Sequence, residues 1–112
     1  MKKVAILDVG EFGYVGRSTY AKQAQKLKSI LKEKGVDSEI LEVLPKSFEE
    51  YTDLIFLTRE MLEEARKIKK INPEKAILLC TGLVRKGDSD GGIIIIRKGD
   101  YDTVDNILKH IK

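Results

Sequence analysis

Four unbroken apolar runs interrupt an otherwise charged chain: Val4 to Leu7, Leu54 to Leu57, Ala76 to Cys80 and Ile93 to Ile96. A strand with one wet face alternates apolar and polar residues. A run without alternation predicts a strand covered on both faces, as in parallel sheets flanked by helices. A fifth segment, Glu39 to Leu44, alternates in part and predicts an edge strand. Between the runs the period lengthens. Tyr20, Ala24, Leu27 and Leu31, with Ala21 and Ile30 beside them, fall on one helical face, and Gly35 sits where a helix end favours positive φ. A second helix runs from about Arg59 to Lys70, with Met61, Leu62, Ala65 and Ile68 inward and Pro73 beyond its end. A third opens on Asp102 and Asp105 and carries the stripe Val104, Ile107, Leu108, Ile111.

This order predicts one α/β domain over residues 1–112. Its architecture would be flavodoxin-like and doubly wound: a mostly parallel four- or five-stranded sheet, order 2-1-3-4-5, with helices on both faces. Two connections strain that reading. Segment 45–52 is short for a parallel crossover, which usually takes about a dozen residues. Segment 81–92 lacks a helical period, which leaves an antiparallel pairing open for the last strand.

Composition narrows the setting. With 42% hydrophobic and 35% charged residues the chain suits a globular fold, and no apolar run approaches the roughly 20 residues of a spanning helix. Met1-Lys2-Lys3 has the charge of a secretion signal, but the apolar stretch behind it stops at Asp8, so a cytoplasmic location is expected. Net charge is only +3, and the basic residues are dispersed, so neither nucleic acid nor membrane is an expected partner. One cysteine and one histidine exclude an internal disulfide, a thiolate-rich metal centre and paired-histidine zinc sites. Abundant Lys, Glu and Ile without Trp resemble the usage of heat-adapted organisms.

In open α/β sheets ligands bind at the carboxyl ends of the strands. Those ends supply Asp8 and the loop Gly10–Thr19, then Thr58-Arg59, Thr81-Gly82 and Arg97-Lys98. In the first loop Gly13 and Gly16 permit close backbone approach, and Ser18 and Thr19 offer hydroxyls and N–H groups at a helix start, a place that favours anions. Arg17 or Arg59 would add positive charge, and Asp8 is a candidate ligand for a Mg2+ bridging to a phosphate. The same loop also reads as a plain turn with Ser18 as N-cap. It is neither a Walker loop, since no Lys precedes Ser18, nor a dinucleotide fingerprint. Asp88-Ser89-Asp90-Gly91-Gly92 offers two carboxylates to a divalent ion but is also ordinary turn chemistry. Other residues read as structural: Thr58 as an N-cap, Arg97 and Lys98 as solvated charges, Cys80 as a core thiol, His110 as a surface residue. Lys67, Lys69 and Lys70 complement a helix dipole.

Gly16-Arg17-Ser18-Thr19 before an amphipathic helix resembles the phosphate loop of lactose/cellobiose-type IIB proteins of the sugar phosphotransferase system. The short link Leu44 to Phe48, the helix Met61 to Ile68 and the entry Asp100 to Asp105 extend the similarity, although Asp8 stands where that family carries its phosphocysteine. The resemblance implies binding of a phosphorylated small molecule or a phosphoryl-bearing protein partner at the first strand–helix loop. Asp8, Thr81 and Lys98 also resemble the metal-binding acid, hydroxyl and lysine of response-regulator receiver domains, with Thr58 in place of the phosphoacceptor aspartate. That resemblance implies a non-catalytic interaction module working through an exposed helix or strand face. A third similarity, to flavodoxins, implies FMN held by the first loop between Phe12 and Tyr14. The residues assemble no nucleophile–base pair, so a stand-alone enzyme is not expected.

Overall fold

The computed structural model describes residues 3–9, 21–98 and 103–111. Five strands, β1 (Lys3–Leu7), β2 (Asp37–Leu41), β3 (Asp53–Phe56), β4 (Ala76–Thr81) and β5 (Ile94–Arg97), form one sheet in the order β2-β1-β3-β4-β5. Every neighbouring pair is parallel. Three helices cover it: α1 (Ala21–Glu33), α2 (Leu62–Ile71), entered through a 3₁₀ turn at Arg59–Met61, and α3 (Thr103–His110).

The unbroken runs follow from the strand period of two. Val4 and Ile6 of β1 point to one face, where they meet Ala24, Leu27 and Leu31 of α1 and Ile107 of α3. Ala5 and Leu7 point to the other and meet Leu62 and Ala65 of α2. Both faces being dry, each residue of the run must be apolar.

The fifth strand is parallel, from Leu78↔Ile94 to Thr81↔Arg97, so the antiparallel alternative is excluded. A crossover without a helix still has to satisfy its backbone, and here Arg66 of α2 and Arg59 of the turn before it help to do so. The Arg66 guanidinium donates to the carbonyls of Asp90 (3.0 Å) and Gly87 (2.8 Å). Asp88 accepts the Arg85 N–H at 2.7 Å and pairs with Arg59. Gly91 and Gly92 take φ +81° and +83°, and a Cβ on either would come within 3.1 Å of the Arg66 or Lys69 side chain. The segment Asp88–Gly92 is therefore a clasp on α2 rather than an ion site. Among the described residues no group of three or more His, Cys, Asp or Glu could hold a metal.

The connection 42–52 is likewise free of helix. Tyr51 packs its ring into the α2-side core and donates its hydroxyl to Glu39 at 2.7 Å, and Lys3 pairs with the same carboxylate at 3.1 Å. Burial, then the bond to Glu39, pushes the Tyr51 hydroxyl up to about 12. The second strand starts and ends earlier than its sequence pattern suggests. Gly35 turns the chain at φ +78°, Val36 N–H returns to Leu31 O at 2.8 Å, and β2 begins at once. Val43 and Leu44, the last residues of the predicted strand, lie exposed. α2 ends at Ile71 because Asn72, ahead of Pro73, leaves the helical range (φ −123°, ψ 65°), while its backbone N–H (2.8 Å) and side-chain amide (3.0 Å) both bond Ile68 O.

Two predictions follow from this packing. The Arg85 N–H first, and Arg59 second, hold the Asp88 carboxyl below its ordinary value. A carboxyl depressed in the folded state contributes stability above its unfolded pKa of about 3.9, lost as pH falls through the lower folded value. Asp88→Asn should therefore lower the denaturant midpoint near neutral pH and flatten its decline in acid, as urea titrations across that range would show. Cys80 is 3% exposed, and burial pushes its thiol up to about 11, with Lys98 opposing. The thiol should react with Ellman-type reagents far more slowly in the native than in the unfolded chain, and Cys80→Ala should cost about 1–2 kcal/mol. Fast native labelling would contradict this placement.

Candidate functional site

Because all five strands run the same way, their carboxyl ends emerge along one edge. The registers Leu7↔Phe56, Phe56↔Leu79 and Thr81↔Arg97 bring Asp8, Thr58, Thr81 and Lys98 to that edge from β1, β3, β4 and β5 in turn. Three of the four, Asp8, Thr58 and Thr81, are buried although polar.

Each has a defined local role. Asp8 continues β1, its N–H bonded to Leu41 O at 2.9 Å. Thr58 adopts extended backbone (φ −136°, ψ 139°) and caps the 3₁₀ turn, its hydroxyl accepting the Glu60 N–H at 3.4 Å, as its sequence position suggested. The Thr81 hydroxyl closes on Leu83, accepting the N–H at 3.2 Å and donating to the carbonyl at 3.0 Å. Lys98 extends the ladder through its N–H to Thr81 O at 2.9 Å and sends its ammonium across β4 to Leu57 O, also at 2.9 Å.

Lys98 is thus not the solvated strand-end charge that the sequence suggested. Its half-buried ammonium is drawn inward by a carbonyl of the neighbouring strand end, and burial lowers its pKa, with Cys80 acting the other way. Arg97 is exposed, as expected. The contact between β5 and β3 has no local sequence signal. It is legible only once the strand order places β4 between them.

The other candidates divide. Arg59 stands at the edge, but its guanidinium is engaged by Asp88. Gly13, Gly16, Arg17, Ser18 and Thr19 lie outside the described residues, as do Phe12 and Tyr14, so the first-loop phosphate site and the FMN alternative are not placed by the geometry. The four side chains Asp8, Thr58, Thr81 and Lys98 offer one carboxylate, two hydroxyls and one ammonium. A hard divalent cation takes six or more oxygen ligands, and only Asp8 supplies a carboxylate among these four side chains. Thr58 carries no carboxyl and cannot form an acyl phosphate.

No protein-family model matches the chain, and no curated protein matches it. Solved structures do. A two-component response regulator from Clostridium difficile is 18% identical with a TM-score of 0.66, over 97% of each chain. An orphan response regulator of H. pylori is 12% identical with a TM-score of 0.63, over 99% of this chain and 97% of the other. A response regulator from Burkholderia pseudomallei, carrying a phosphorylated aspartic acid, a calcium ion and citrate, is 12% identical with a TM-score of 0.67, over 100% of this chain and 67% of its own. None of these three supports the phosphotransferase IIB resemblance. What this chain shares with these response regulators is its flavodoxin-like fold, a five-stranded parallel sheet flanked by helices.

Proposed function

We propose that the chain is a receiver-like interaction module that works without phosphorylation at the end of its third strand. The observation that carries this reading is the edge itself. Asp8 and Lys98 directly follow β1 and β5 and Thr81 closes β4, as the acid, lysine and hydroxyl of receiver domains do, while Thr58 occupies the acceptor position. The Thr58 hydroxyl is spent on capping. The Lys98 ammonium, which in the receiver comparison would face an acyl phosphate, is bonded to Leu57 O. The edge therefore keeps the outline of a switch and lacks its acceptor.

A module of this kind acts through a surface that a protein partner reads. The β4–β5 connection offers one: Leu83 and Val84 are 54% and 46% exposed, with Arg85 and Lys86 beside them. An apolar pair next to cations suits a partner that presents an apolar side chain rimmed by carboxylates. Binding of a phosphorylated ligand by the Gly10–Thr19 loop is compatible with this reading and is tested separately by phosphate titration.

The decisive experiment is chemical. Incubated with acetyl phosphate and Mg2+, the wild-type chain should acquire no hydroxylamine-labile phosphoryl group by intact-mass measurement. Thr58→Asp should acquire one, because aspartate is as good an N-cap as threonine and the capping turn is kept. A labile phosphoryl group on the wild type would overturn the reading. Failure of a well-folded Thr58→Asp to be labelled would show that the edge does not retain a receiver outline.

A further inference from the structure

The outer strand of a sheet presents a row of unpaired N–H and C=O groups, and proteins usually guard such an edge with charge. The two edges of this sheet are β2 and β5, and they are guarded unequally. β2 carries Asp37 and Glu39, carboxylates that would repel in any pairing with a second copy. β5 carries Ile94, Ile95 and Ile96, with no charge until Arg97. One bond sets the direction of its backbone groups. The Lys98 N–H turns inward to Thr81 O at 2.9 Å. Alternate residues of a strand turn the same way, so Ile94 and Ile96 also face β4. Ile95 and Arg97 therefore turn their N–H and C=O to the outer edge, where no strand among the described residues receives them. The Arg97 carbonyl accepts the Thr103 hydroxyl at 3.3 Å. At the other flank the Ile93 N–H donates to Ser89 O at 3.2 Å.

We propose that this edge pairs with β5 of a second copy of the chain, antiparallel across a two-fold axis at Ile95, joining two five-stranded sheets into one. The edge is self-complementary. With Ile95 opposite Ile95 of the second copy, the two residues exchange N–H and C=O bonds. Arg97 then falls opposite Ile93. The Arg97 N–H meets the Ile93 C=O, while the Ile93 N–H and the Arg97 C=O, which face each other, are already bonded within each chain. The side chains agree. Half-buried Ile95 lies on the α2 side of the sheet and half-buried Ile94 on the other, so a second copy extends apolar burial on both faces. Charge selects the direction. Asp90 leads into the strand and Arg97 closes it, both exposed. Arg97 shares the side of Ile95, and Asp90 belongs to the clasp on α2, so both stand on one face. Antiparallel pairing sets each Arg97 toward the Asp90 of the other copy, whereas parallel pairing would set like beside like. A two-fold axis uses one edge per copy, so the assembly closes at two. Nothing in this pairing depends on what stands at Thr58, so it holds or fails separately from the receiver-like reading.

The test follows the full chain by sedimentation equilibrium and amide hydrogen exchange over a range of concentrations. The wild type should pass from monomer to dimer, and exchange at Ile95 should slow in step, because its outward N–H is bonded only in the dimer. Ile95→Lys, which sets two ammonium groups together at the axis, should leave a monomer whose own melt verifies the fold. Arg97→Glu and Asp90→Lys, at exposed positions, should each weaken the dimer on the order of tenfold, from two lost contacts and the repulsions that replace them. Combining the two should restore it, and this exchange of charges decides the question if Ile95→Lys does not fold. A chain monomeric at every concentration, growth beyond two copies, Ile95 exchange indifferent to concentration, or a dimer unmoved by the charge reversals would each overturn the proposal.

Discussion

A parallel sheet must be dry on both faces, and a chain of 112 residues has to achieve this with only three described helices. That requirement sets most of what is seen. β1 and β3, in the middle, are apolar along nearly their whole length because α1 and α3 lie on one side and α2 on the other. Every parallel connection must cross from one end of the sheet to the other. Two of the four do so without a helix. Their backbones are tied down by side chains instead: Tyr51 to Glu39 on one connection, Arg59 to Asp88 and Arg66 to the Gly87 and Asp90 carbonyls on the other.

The same economy explains which parts of the fold could be read from the sequence. Runs such as Ile77-Leu78-Leu79 and the helical stripe Ala24, Leu27, Leu31 announce themselves because their physics is local: one residue type for two dry faces, one spacing for one wet and one dry side. Strand order followed from them. The direction of β5 did not, because parallel pairing was secured by Arg66 reaching a loop some twenty residues away, a contact with no sequence period. Asp53 shows the opposite failure. An aspartate looks like a solvated residue, yet as the first residue of β3 it is fully buried, its carboxylate bonded by the Thr52 hydroxyl at 2.5 Å. Val43 and Leu44 look like strand residues and are exposed.

For the edge, sequence reasoning found the residues but not their engagement. Asp8, Thr58, Thr81 and Lys98 could be named because each follows an apolar run. That Lys98 spans β4 to reach Leu57 O, or that Arg59 is committed to Asp88, depends on neighbours supplied by the fold.

The placement of β1 has a consequence for how the molecule comes into being. Its two neighbours are distant in sequence: Lys3 registers with Asp37 and Val4 with Asp53. The first strand made is therefore central, and it gains neither ladder until the chain has continued well beyond it. Closing those loops costs entropy before any contact repays it, which places such a sheet among the slower-folding topologies. α1, by contrast, returns to the sheet through the tight turn at Gly35 and delivers β2 directly beside β1. The shortest circuits nonetheless lie at the other end of the sheet, where Leu78 registers with Ile94 and Asp53 with Ala76, both closer in sequence than Lys3 and Asp37; β3, β4 and β5 are thus the natural template, and β1 with β2 closes onto it across the longest loops.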